Sequence, residues 1–200
     1  MAYKDGAILM KQIFIINGSG GVGKDAFVEM VYNQAYEPSK NRCVRVANYS
    51  SVSKVKEIAK LIGWDGSKTE KDRKFLSDLK LLTTEYNDMP LNDMKEFADA
   101  FMNYSANITS KILFLHIREP EEIKKAINEF KEYNAKAILV KRDSVKHITS
   151  NMADENVYNY NYDIVINNNG TLEELRDIAK CFLEDFLDGD FLNKTLKYEY

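Results

Sequence analysis

The stretch "IFIINGSGGVGKDAF", Ile13 to Phe27, decides how the rest of the chain is read. An apolar run of strand type ends at Asn17, a glycine-rich loop runs from Gly18 to Gly23, and a helical pattern opens at Lys24. The spacing Gly-x-x-x-x-Gly-Lys between a strand and a helix is that of a loop whose backbone N–H groups turn inward around a phosphate, with the lysine adding a point charge. Gly18, Ser19, Gly20, Gly21, Val22, Gly23, Lys24, Asp25 and Ala26 are therefore the expected contacts of a nucleoside triphosphate, ATP in the first instance. The position after the lysine usually carries Ser or Thr, whose hydroxyl reaches a magnesium ion; here it carries Asp25.

A carboxylate about 5 Å from a phosphate charge is repelled by about 3 kcal/mol at an effective dielectric near 20. A bridging Mg²⁺ removes the conflict, because that ion takes carboxylate and water oxygens together with phosphate oxygens. Asp25 is thus a candidate metal ligand, direct or through water. The other reading is an acidic residue favoured at a helix start by the macrodipole alone.

Beyond the loop, four further apolar runs resemble buried strands: Cys43–Tyr49, Ile112–Ile117, Ala137–Val140 and Asp163–Asn167. They are nearly continuous rather than alternating, as expected of a parallel sheet covered on both faces. Helical periods separate them. Lys24–Ala35 follows the loop, and Val52, Val55, Ile58, Ala59 and Ile62 form a stripe closed by Gly63. Thr69 and Asp72 form a capping box before Phe75, Leu76, Leu79 and Leu82. Met94, Phe97, Ala98, Phe101, Tyr104 and Ile108 make another stripe, Pro120 opens a helix over 119–133, and Thr171 with Glu174 caps a last one carrying Leu172, Leu175, Ile178, Phe182 and Phe186. These stripes are expected core. Alternating strands and helices imply a three-layer, doubly wound α/β fold.

Two segments exceed what simple alternation needs. Residues 50–110 hold three helical periods between two strands, and residues 143–161, "DSVKHITSNMADENVYNYN", are polar and weakly periodic, as a lid is. The expected layout is one domain, with a core of 10–49 and 111–188, a helical insertion at 50–110 and a lid at 143–161. Residues 1–9 read as a poorly ordered lead-in.

Composition narrows the function. Of 200 residues, 44% are hydrophobic and 30% charged, and the net charge of −3 gives no generic attraction to nucleic acid or to an anionic membrane. No apolar run is long enough for a membrane span or a secretory leader. A cytoplasmic location is expected, with Cys43 and Cys181 as reduced core thiols.

Phosphoryl transfer is chiefly positioning and charge stabilisation, so further cations matter. Arg118 directly follows the strand "ILFLHI", at the end where open α/β sheets bind ligands. Arg73 lies at the border of an apolar helix face, and Lys141 and Arg142 end the fourth strand; Arg73 and Lys141 are equally readable as solvated charges. Arginine without a nearby carboxylate base suits an acceptor that is itself a phosphate. His116 reads as core, and His147 has no assigned role.

The segments "GSGGVGKDAF", "SSVSKVKEIAKLIGWDG" with "EKDRKFLSDLK", "HIREPEEI" and "YDIVINNNGTLEEL" together resemble P-loop kinases related to nucleoside monophosphate kinases. The likeness is to phage-type deoxynucleoside monophosphate kinases and animal-type phosphomevalonate kinases, which also carry Gly-Lys-Asp at the loop's end. The resemblance implies a five-stranded parallel sheet of order 2-3-1-4-5 and an acceptor-binding lobe at 50–110. It also implies Lys54, Arg73 and Arg118 near the acceptor phosphate, and Arg142 as a transition-state arginine at the lid, so that Lys24, Arg118 and Arg142 are the expected catalytic residues. Residues Asn167–Gly170 would lie near adenine. The implied activity is ATP- and Mg²⁺-dependent transfer to a nucleoside or deoxynucleoside monophosphate. Transfer to another phosphorylated metabolite and a catalytically weak ATP-binding module are the alternatives.

Overall fold

The computed structural model describes residues 9–37, 44–104, 110–145, 156–192 and 196–199. The lead-in apart from Leu9, Cys43, Ile108, His147 and most of the expected lid lie outside the described residues. The chain divides into two compact units, one of Met1–Asn48 with Ser105–Tyr200 and one of Tyr49–Tyr104.

The first unit is built on β1 (Lys11–Asn17), β3 (Ser110–His116), β4 (Lys136–Lys141) and β5 (Ile164–Asn167), with β2 (Val44–Ser50) running out of it at one edge. A sixth strand, β6 (Leu196–Tyr198), adds to the five expected, and the sheet order is β2-β3-β1-β4-β5-β6. β1 pairs in parallel with β3, Phe14 beside Phe114, and with β4, Ile15 beside Ala137. β4–β5 and β5–β6 are parallel too. Apolar residues fill β1 on both sides because the strand is central. Phe14, Ile16, Phe114, Ile138 and Ile166 face α1 (Lys24–Ala35) and the last helix, α6 (Leu172–Asp188). There the rings of Phe14, Phe27, Phe182 and Phe191 meet with centroids 4.9–5.3 Å apart. Each such pair adds about 0.5–1.5 kcal/mol beyond its buried area. The alternate residues face the other side, where α5 (Pro120–Glu129) packs on β1 and β4.

Pro120 opens α5, but the helix ends at Glu129 and a 3-10 turn, Lys131–Tyr133, replaces its last turn before Asn134 takes a left-handed φ of 46°. Leu172 stands outside the core at the first, protruding turn of α6, while Leu175, Ile178, Phe182 and Phe186 are buried as expected. Cys181 is exposed on that helix rather than a core thiol. The sixth strand is held by Tyr198, whose hydroxyl donates to Asp185, and by Asn167, whose Nδ2 donates to Glu199.

The second unit consists of α2 (Ser53–Leu61), α3 (Glu70–Asn87) and α4 (Met89–Asn103). α2 closes as foreseen, with Gly63 at φ 102° and the Trp64 N–H returning to Ala59 O at 2.9 Å. Ile62, just past the helix, turns outward. Thr69 and Asp72 form the capping box of α3. The face of α3 departs from the expected stripe at its end: Leu82 is 64% exposed, and the helix's one buried residue is Lys80. Phe75, Leu76 and Leu79 are half-buried as expected, and the inward face continues through Lys80, Thr83 and Thr84, the two threonine hydroxyls donating to helix carbonyls one turn back. A lysine stem and self-satisfied threonines cover apolar neighbours without registering as hydrophobic. Tyr49 stacks on Phe97 at 4.3 Å and donates to Asp93 at 2.8 Å; burial, then Asp93, pushes its phenol up to about 12.

Candidate functional site

Asn17, the last residue of β1, is fully buried and organises the loop that follows. Its Oδ1 accepts from the Gly18 N–H at 2.7 Å, and its Nδ2 donates to the Arg118 carbonyl at 2.9 Å and to the Tyr162 hydroxyl at 2.7 Å. Tyr162 in turn donates to Val157 O at 2.6 Å, and its burial pushes the phenol up to about 12. The start of the loop is therefore fixed to β3's end and to the segment before β5.

Gly18 has φ 147°, and a Cβ there would come within 2.3 Å of the Val140 carbonyl oxygen. Gly23 caps α1 at φ 98°, and a Cβ there would meet the Asn168 amide nitrogen at 2.3 Å. Only glycine fits either place. The Lys24 ammonium folds over the loop, donating to Gly18 O and, at 2.9 Å, to Ser19 O. Ser19 is 2% exposed and its Oγ has no partner among the described residues. A buried polar hydroxyl without a partner costs stability unless something outside the chain satisfies it.

Asp25 stands in the first turn of α1 with its side chain 96% exposed. His116, the last residue of β3, places Nδ1 3.8 Å from Asp25 Oδ1. It is half-buried at the sheet's ligand-facing end rather than in the core. Burial holds its pKa below 6.5, Asp25 works against that, and Lys24 and Arg118 add to it. The charges of Lys24, Asp25 and Arg118 thus act on His116 at the loop. Among the described residues no group of three or more His, Cys, Asp or Glu side chains could hold a metal. One exposed carboxylate at a phosphate loop fits a cation that draws its other ligands from phosphate and water, which is the habit of Mg²⁺.

The remaining expected residues are placed as follows. Arg142 follows β4 and donates through Nε to Ser144 Oγ at 3.2 Å. Lys54 and Arg73 belong to the second unit: Lys54 is exposed and paired with Glu57 at 3.0 Å, and Arg73 is exposed in the first turn of α3. Asn168, buried after β5, donates to Val22 O at 2.8 Å, and Asn169 exchanges two 2.8 Å hydrogen bonds with Asp143. A groove of about 380 Å³ opens beside α1, lined by Asp25, Glu29, Tyr32 and Val28 with Val46 and Asn48 of β2.

Sequence reasoning missed Asn17, Tyr162, His116 and the clamp made by Asn168. Only His116 left a signal, an ionisable residue in the last position of an otherwise apolar strand. The others act through contacts up to 146 residues apart in the chain.

No protein-family model matches the chain, and no curated protein matches it. Among solved structures it is similar to an unliganded sugar kinase from Janibacter sp. HTCC2649, at 13% identity and TM-score 0.43, over 87% of this chain and 95% of that one. It is also similar to APE1195, at 13% identity and TM-score 0.37, over 96% and 87%. A third is the signal recognition particle receptor FtsY from Elizabethkingia anophelis in complex with GDP, at 11% identity and TM-score 0.38, over 91% and 58%. These likenesses are distant, and the fold and the site rest on the chain's own geometry.

Proposed function

We propose that the protein is an ATP- and Mg²⁺-dependent small-molecule kinase that passes the γ-phosphoryl group to a nucleoside or deoxynucleoside monophosphate. The observation that carries this reading is the loop itself. Two glycines that tolerate no side chain shape a strand-to-helix turn, and Lys24 lies over it with Asp25 at its mouth. The backbone N–H groups of Ser19 to Lys24 and the Lys24 ammonium would neutralise the β- and γ-phosphates, while the Gly18 N–H stays on Asn17 Oδ1.

Asp25 would hold Mg²⁺, which when bound would offset the negative charge of the phosphates. Arg118 would orient the acceptor phosphate, an oxygen of which attacks the γ-phosphorus as the bond to the ADP oxygen breaks. Arg142 would take up charge that develops during transfer. Lys54 and Arg73 are the further acceptor-phosphate residues that the family resemblance implies.

The test is ADP release from ATP and Mg²⁺ with a panel of nucleoside and deoxynucleoside monophosphates. Release with one or two acceptors, abolished by Lys24→Ala, supports the reading. Tight ATP binding with no release across the panel overturns it in favour of a nucleotide-binding module.

A further inference from the structure

The run Asn167-Asn168-Asn169 would lie by adenine if the family resemblance were followed, yet its amide nitrogens donate elsewhere. Asn167 Nδ2 donates to Glu199 Oε2 at 2.6 Å, Asn168 Nδ2 to Val22 O at 2.8 Å, and Asn169 Nδ2 to Asp143 Oδ2 at 2.8 Å. All three amide nitrogens already donate within the protein.

Asn168 is the most constrained. It is 5% exposed, and its own backbone N–H donates to Lys141 O at 2.8 Å, which fixes it against the end of β4. Its amide occupies the space that a Cβ on Gly23 would need. The carbonyl it holds belongs to the Val22–Gly23 peptide. A trans peptide is planar, with C=O and N–H pointing to opposite sides. Holding Val22 O towards Asn168 therefore turns the Gly23 N–H away from Asn168, across the loop, at the position before Lys24.

We infer that Asn168 is a positioning residue for the phosphate loop. It sets the Val22–Gly23 peptide so that the loop grips the triphosphate tail, and it does not read the donor base. The inference rests on the loop being a triphosphate cradle. It gives donor recognition a particular balance: the grip lies on the phosphates, and the asparagine run serves that grip from behind.

Calorimetric titrations with two probes, ATP and inorganic tripolyphosphate, each with Mg²⁺, separate the possibilities. The proteins are the wild type, Asn168→Ala and the isosteric Asn168→Asp, with ligand-free melting confirming that each variant folds. Wild-type protein is expected to bind both probes. Losing one hydrogen bond that orders the loop should weaken both by the same factor, about fivefold to tenfold for Asn168→Ala. Asn168→Asp should weaken both further, because its carboxylate faces the Val22 carbonyl. A loss confined to ATP would mean that Asn168 contacts the base, and no loss with either probe would make it a spectator; each result overturns the inference. Wild-type binding of ATP without tripolyphosphate overturns it as well. Wild-type protein that binds neither probe overturns the cradle itself, whatever the variants do.

Discussion

At the scale of single residues, the glycine-rich loop depends on places where a side chain is forbidden and on one where a charge is tolerated. Gly18→Ala would drive a methyl into the Val140 carbonyl at a φ of 147°. A backbone neighbour cannot rotate away, so a loss of about 2–4 kcal/mol is expected in chemical denaturation; a variant as stable as the wild type would contradict the geometry. The same precision was half visible in the sequence. The glycine spacing and Lys24 announced the loop, but nothing in the sequence says that Asn17 and Asn168 tie it down from both ends, since each works through distant backbone or hydroxyl groups.

His116 supplies a pH signature. Burial lowers its pKa below 6.5, with Lys24 and Arg118 adding to the effect and Asp25 opposing it. Below pH 6.5 the unfolded chain takes up a proton that the folded chain refuses until its lower pKa is reached. The contribution to stability is therefore complete above pH 6.5 and is lost as pH falls through that window. Between pH 7.5 and 5.5, with EDTA present, the wild type should lose more melting temperature than His116→Gln. An equal loss in both would place His116 in a neutral environment.

At the scale of elements, helix ends were the most legible features, because capping is chemistry between neighbours in the chain. The Thr171 hydroxyl accepts from the Glu174 N–H, and the Glu174 carboxylate accepts from the Thr171 N–H at 2.6 Å. Thr171→Ala should cost about 1 kcal/mol in denaturant unfolding; no change would show that α6 is held by packing alone. Helix faces were less legible. On α3 the apolar stripe was drawn through Leu82, whereas Lys80 and two threonines turn inward. Hydropathy counts neither a buried lysine stem nor a hydroxyl satisfied by its own helix.

At the scale of the whole molecule, continuous apolar strands and intervening helices gave the parallel sheet, the family resemblance gave the order of its first five strands, and β6 was the addition. Its three residues, "LKY", carry too little apolar pattern to be read as a strand. Tyr198 to Asp185 and Glu199 to Asn167 hold it on β5 and cover that edge. Removing residues 196–200 should lower the melting temperature and promote association in size-exclusion chromatography. An unchanged melting temperature would mean that β6 contributes nothing to the sheet.

The whole molecule also frames the question raised by Asp25, an exposed carboxylate at the mouth of the loop proposed to hold a triphosphate. Calorimetric titration of ATP into the wild type and Asp25→Asn, once with Mg²⁺ and once with EDTA, addresses it directly. The asparagine variant should bind ATP more weakly with Mg²⁺ and more tightly in EDTA, an inversion that only a metal bridge between carboxylate and phosphate produces. Affinities that move together in the two conditions, or wild-type protein that binds no ATP in either, would contradict it.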